Sequence, residues 1–193
     1  LFSKTALEVC DGQQLDVDFE TRSDLTIDEY VNMIRLKTSV LVAAALKMGA
    51  LVANADEENA NLIYDFGLNL GLAFQLQDDY LDAFGNPDTF GKQVGGDIIE
   101  NKKTFLYLKS LEVANQEDQN KLHFYYNQKL DDNSIKIAEV TRIFKSNEIP
   151  LLIKEEIKNY TDKAFQTLSS LNVSEKKKQR LKEFGLWLMN RSV

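Results

Sequence analysis

The chain has 193 residues, enough for one domain with a real core and short for two. Its 44% hydrophobic and 27% charged residues make an ordinary globular balance, while 9 glycines and 2 prolines are too few for the turns of a β-sandwich or barrel. Acidic residues outnumber Lys and Arg by 30 to 23, and the resulting net charge of −7 argues against nucleic acid or a membrane surface as the main partner. The elements that follow all read as helices. In the first, over about residues 1–19, Ala6, Val9, Cys10 and Gln13 recur at three-to-four spacing. Thr26 followed by Glu29 has the spacing of a capping box. It opens a helical run to about Ala53, with Tyr30, Ile34, Leu41, Ala45 and Met48 near one face. After the acidic turn Asp56-Glu57-Glu58, the pattern Leu62, Phe66, Leu70, Phe74 predicts a long helix to about Phe84. Gly67 and Gly71 sit four apart on it, which would let a neighbouring helix approach closely.

Gly85-Asn86-Pro87-Asp88 is a turn by composition, and Gly91–Asp97 is the one glycine-dense loop. Helical periodicity resumes from about Asn101 and continues in amphipathic pieces near 116–129, 134–146, 149–171 and 175–190. With no strand pattern, repeat or linker, the expectation is a single all-α domain over 1–193. The longest apolar stretch, Val40–Leu46, is far below the roughly 20 residues of a membrane span, so no stable membrane insertion is expected. The single cysteine, Cys10, cannot form an internal disulfide, which suits a cytoplasmic location; with no cation beside it in sequence it reads as a small core residue. His123 lies on a polar stretch and reads as surface.

The sharpest chemical feature is Gln75-Leu76-Gln77-Asp78-Asp79-Tyr80-Leu81-Asp82. At about 100° per residue, Asp82 falls about 40° from Asp78 and Asp79 about 60° further round. Their neighbours Phe74, Leu76, Leu81 and Phe84 mark a mostly buried helix, and buried like charges need a cation between them. A hard divalent ion with oxygen ligands, Mg²⁺ above all, answers that need; a solvated acidic face is the alternative. Cations that would oppose the carboxylates are Lys92 in the glycine loop, Lys102 and Lys103 after Asp97, and Lys37, which with Thr38 interrupts the apolar face of its helix. Free backbone N–H groups in a glycine loop, plus a lysine, suit phosphate oxygens, although the spacing is not that of a P-loop. Carboxylates, Mg²⁺ and lysines together describe a diphosphate site. Gly12-Gln13-Gln14-Leu15-Asp16 adds polar residues to an apolar helix, and Arg191 is a charge at the extreme C-terminus.

Taken together, Phe74–Asp82, Gly91-Lys92, Gly95-Gly96-Asp97, Asn101-Lys102-Lys103-Thr104, Lys37-Thr38 and Gly12-Gln13 resemble the trans-isoprenyl diphosphate synthases of the polyprenyl synthetase family, in order and spacing over about residues 1–110. The resemblance implies an all-α isoprenoid-synthase bundle, usually dimeric. It also implies a reaction in which an allylic diphosphate ionises and isopentenyl diphosphate attacks the cation. By resemblance, Asp78 is the primary ligand of Mg²⁺ (or Mn²⁺), supported by Asp79 and Asp82. Lys37, Lys92 and Lys102 hold the allylic diphosphate, and Thr38 and Gln75 turn oxygen dipoles toward the developing cation. Asp97 orients Lys92 or metal-bound water, Gln13 supports the site, and Arg191 closes over isopentenyl diphosphate. The family's first aspartate-rich motif is not found upstream of Gly12-Gln13, and the chain starts at Leu1 without methionine. The expectation is therefore the C-terminal portion of a synthase, inactive or nearly so by itself. A non-catalytic prenyl-diphosphate-binding or regulatory subunit and a terpene cyclase are the competing readings.

Overall fold

The computed structural model describes residues 1–86, 94–128 and 132–190. Among them the secondary structure is helical throughout, without a strand. The helices are α1 (Phe2–Thr21), α2 (Ile27–Ile34), α3 (Val40–Val52), α4 (Glu57–Phe84), α5 (Gly96–Ile99), α6 (Phe105–Val113), α7 (Gln116–Tyr126), α8 (Ser134–Ser146), α9 (Ile149–Ser170) and α10 (Glu175–Met189). None of the described helices is long and apolar enough to cross a membrane.

The contacts of the chain group into two compact units. The first comprises Leu1–Val17, Val31–Gln75 and the chain from Glu156 through α10; the second comprises Asp18–Tyr30 and Leu76–Glu155.

In the first unit, Ile63, Phe66 and Leu70 of α4 pack with Ala164 and Leu168 of α9 and with Leu171. The glycine pair on α4 has the use its spacing suggests. A Cβ on Gly67 would meet Ala43 Cα at 2.8 Å, and one on Gly71 would meet Ser39 Cα at 2.7 Å. The absence of both side chains lets the helix backbones touch.

In the second unit the core is built from Leu76 and Leu81 of α4, Phe105, Leu106 and Leu108 of α6, Leu122 of α7, and Val140, Ile143 and Phe144 of α8. Tyr107 and Tyr126 stack at 4.0 Å between ring centroids. The capping box forms as spaced: the Thr26 N–H donates to Glu29 Oε2 at 3.0 Å, and the Glu29 N–H donates to Thr26 Oγ1 at 3.3 Å.

Two expectations are corrected here. The run from Thr26 to Ala53 is not one regular helix, because Arg35–Ser39 form a π-turn between α2 and α3. There the Val40 N–H reaches back to the Arg35 carbonyl, one residue further than in an α-helix. Cys10 is exposed rather than in the core. In the first unit α1 buries only Thr5 and Gly12, seven residues apart, and this narrow seam leaves Cys10 on the outer side of the helix.

Candidate active site

The sequence-predicted residues fall into two clusters, one in each unit. In the first unit the π-turn presents Lys37 and Thr38. The inserted residue breaks the helical ladder at the point where α1 presses closest. A Cβ on Gly12 would lie 2.7 Å from Lys37 Cα and 2.8 Å from the Leu36 carbonyl carbon, so only glycine fits there. One turn further along α1, Asp16 Oδ2 pairs with Lys37 Nζ at 2.5 Å. Thr38 Oγ1 donates to Gln75 Oε1 at 3.2 Å. Thr38 and Gln75, paired by the resemblance, are hydrogen-bonded, while the adjacent Lys37 pairs with Asp16. Gln13 lies on the exposed side of α1.

In the second unit the carboxylates of α4 have separate surroundings. Asp79 is buried and accepts a hydrogen bond at Oδ2 from the Tyr30 phenol, which is buried too. Asp78 is half-buried on the same helix. Asp82 is fastened to the segment that leads into α5. Its backbone carbonyl accepts the Gly95 N–H at 2.6 Å, and its Oδ2 accepts the Asp97 N–H at 3.0 Å. Gly95 makes this return possible with φ of +85°. Burial and then the charge of Asp97 push the Asp82 carboxyl up to about 6.

Opposite this carboxylate pair stands Lys102, whose Nζ lies 3.2 Å from Asp97 Oδ1 and 2.8 Å from Glu100 Oε2. Burial opposes its charge, but its hydrogen bonds to Glu100 and Asp97 and their negative charges raise its pKa above the ordinary lysine range. The adjacent Lys103 is turned elsewhere: its Nζ donates to the Phe19 and Glu20 carbonyls at 2.9 and 2.8 Å, tying down the end of α1. Lys92 and Arg191 lie outside the described residues.

Among the described residues no three His, Cys, Asp or Glu side chains are placed to enclose a metal ion together. Mg²⁺ is ordinarily held by one or two carboxylates plus waters and substrate phosphates. The raised pKa of Asp82 beside Asp97 means that two oxygen-donor groups share a place where a second negative charge is unfavourable. The carboxylate oxygens of Asp78 and Asp82 are hard donors of the kind a divalent cation takes.

Sequence reasoning missed Tyr30 as a carboxylate partner, because its position on an apolar face read as core. It also passed over Lys136, although a signal was there: Lys136 occupies the apolar stripe of α8 with Val140, Ile143 and Phe144.

Residues 1–144 match the family model described as polyprenyl synthetase. The chain belongs to the polyprenyl synthetase family. It is 48% identical over 104 residues to a geranylfarnesyl diphosphate synthase of Natronomonas pharaonis, covering 54% of this chain and 30% of that protein. It is 31% identical over 173 residues to a geranylgeranyl diphosphate synthase of Saccharolobus solfataricus, covering 89% of this chain and 52% of that protein. A solved structure of a geranylgeranyl pyrophosphate synthase superposes with a TM-score of 0.93 and 51% identity, over 98% of this chain and 59% of that one. The fold is the all-α isoprenoid-synthase fold. The chain spans about half the length, or less, of the curated relatives it matches.

Proposed function

We propose that the chain carries one wall of the active site of a Mg²⁺-dependent prenyltransferase of isoprenoid biosynthesis. The reaction joins an allylic diphosphate head to tail to isopentenyl diphosphate. The observation that carries this reading is the Asp82–Asp97–Lys102 group, in which two carboxylates and a lysine meet at partial burial within a chain of the polyprenyl synthetase family.

Diphosphate leaves an allylic carbon only when the charge that develops on it is neutralised. Lys102 supplies one positive charge for this, and a diphosphate oxygen would take the place that Glu100 and Asp97 now occupy around its ammonium. Lys37, held ready by Asp16, supplies another, and Thr38 and Gln75 offer oxygen dipoles to the allylic cation. Asp78 and Asp82 are the residues that would hold Mg²⁺ (or Mn²⁺), with Asp79 and Asp97 supporting. When bound, that ion would add charge neutralisation at the leaving group. Lys92 completes the proposed diphosphate grip, Arg191 the isopentenyl diphosphate side, and Gln13 supports the first cluster.

The isolated chain is expected to bind Mg²⁺ and diphosphate but to turn over little or not at all, because a single aspartate-rich wall leaves the leaving group incompletely neutralised. A homodimer in the cytoplasm is the proposed state of the whole enzyme. The test is isopentenyl transfer to geranyl and farnesyl diphosphate, with and without Mg²⁺, by this chain and by a full-length synthase carrying it. Mg²⁺-dependent transfer by the full-length protein, abolished by Asp78→Ala, is the expected result. Inactivity of both would favour a non-catalytic prenyl-diphosphate-binding role.

A further inference from the structure

Lys136 lies on α8, and its side chain is fully buried. Among the described residues no carboxylate lies within ion-pair distance of it. Burying an ammonium is costly unless its donors are satisfied. Here two of its N–H donors are received by hydrogen-bond acceptors. Nζ donates to Asn101 Oδ1 at 2.6 Å and to the Ile99 carbonyl at 3.2 Å, and it stands 5.8 Å from the centre of the Tyr126 ring. Burial pushes its pKa below the ordinary lysine range.

The two backbone and side-chain acceptors share a place. Ile99 ends the single turn of α5, and Asn101 follows in the left-handed region with φ of +60°. A residue other than glycine is strained there, and asparagine is among the few that tolerate it. Through this corner the chain reverses. The Lys102 N–H returns to the Asp97 carbonyl at 2.9 Å, and the Thr104 N–H returns to the Lys102 carbonyl at 3.0 Å. The backbone of Lys102 is therefore set by a corner whose side-chain and carbonyl acceptors are both held by one ammonium from another helix. The Tyr126 ring beneath it is buried, and the charges of Tyr107, Asp97 and Asp82 add to that burial in raising its pKa well above the ordinary tyrosine range.

We infer that Lys136 is a positioning residue for Lys102: its buried ammonium holds the left-handed corner at Asn101 and so aims the Lys102 ammonium at the place a diphosphate would occupy. This rests on the proposed role of Lys102 as a diphosphate ligand. A methionine would fill the same volume, so packing alone does not need the charge. What the ammonium adds is the pair of hydrogen bonds at the corner.

The experiment measures amide hydrogen exchange and Mg²⁺–pyrophosphate binding on the whole chain, comparing the unsubstituted protein with Lys136→Met, Lys136→Arg, Lys102→Ala and the Lys136→Met/Lys102→Ala double variant. Lys136→Met is expected to lower protection of the Lys102 and Thr104 amides about tenfold, with α6 and α8 unchanged, and to weaken pyrophosphate binding about tenfold. Lys136→Arg is expected to recover part of both losses, and Lys136→Met should add nothing to Lys102→Ala. Loss of protection spread evenly over α4, α6 and α8, or unchanged binding in Lys136→Met, overturns the inference and leaves Lys136 a packing residue. Pyrophosphate binding that is absent from the unsubstituted chain, or untouched by Lys102→Ala, overturns the reading of Lys102 beneath it. Should Lys136→Met fail to fold, Asn101→Gly keeps the left-handed corner and deletes one acceptor. It is expected to weaken binding about threefold through Lys102, and full affinity there counts against the inference equally.

Discussion

The π-turn cluster and the Asp82–Lys102 cluster both present a lysine beside carboxylates, but they hold it by different means. Lys37 is placed by backbone irregularity. An extra residue in the helix and the bare backbone of Gly12 put it where one carboxylate, Asp16, matches it charge for charge. Lys102 is placed by a corner between two left-handed residues, Gly95 and Asn101, and its surroundings carry more negative than positive charge. The first cluster is electrostatically complete without a ligand, whereas the second gains from a cation.

The largest expected effect lies in the second cluster. Asp82 titrates at about 6, above the 3.8 of a free carboxyl, so the folded chain holds a proton there that the unfolded chain has released. Its contribution to stability is therefore fully present below about pH 3.8 and is lost as pH rises through about 6. Divalent-ion affinity runs the other way and should rise about a hundredfold between pH 4 and pH 7, followed by calorimetric titration. Asp82→Asn should flatten that profile and raise stability at pH 7.5, because it removes the repulsion with Asp97. A profile that stays steep in Asp82→Asn would dissolve the contrast between the clusters.

Tyr30→Phe removes a donor from buried Asp79 and should cost about 1.5–3 kcal/mol of unfolding free energy in urea. Gly12→Ala tests the steric side of the other cluster. Its Cβ meets the backbone of Leu36 and Lys37, which cannot swing aside, so a loss of about 1–3 kcal/mol is expected. Gly49→Ala is the control within α3: nothing lies within 4 Å of the added Cβ, and the substitution should stabilise by about 1 kcal/mol. Asp16→Asn should have the smallest effect on folding, under about 1 kcal/mol, since its pair with Lys37 is about a third exposed on both sides (32% and 33%).

The parts legible in the sequence were those written in short-range spacing. Thr26 and Glu29 announced a helix start that forms with both reciprocal bonds, and Gly67 and Gly71 announced the close approach that Ala43 and Ser39 make. Thr38 and Gln75 were named together and are hydrogen-bonded. Periodicity could not show that the helix carrying Lys37 is π-wound. That winding coincides with the approach of Gly12, a residue more than twenty positions earlier in the chain. Nor could it tell Lys102 from Lys103: neighbours in sequence, they leave their corner in different directions, one to carboxylates and one to the carbonyls that end α1.

The amino-acid sequence by itself determined that the chain is all-α and where most of its helices begin and end, and its carboxylates, lysines and glycine loop pointed toward diphosphate chemistry. These follow from residue types at separations of two to four, which a helix converts directly into faces and caps. Tertiary structure alone decided which charges act. It gave Lys37 to Asp16, the Asp79 carboxylate to Tyr30, and the corner before Lys102 to a buried ammonium on α8. The physical reason is that the field at a charged group depends on what burial brings within a few ångströms, and those neighbours come from parts of the chain that local spacing does not connect.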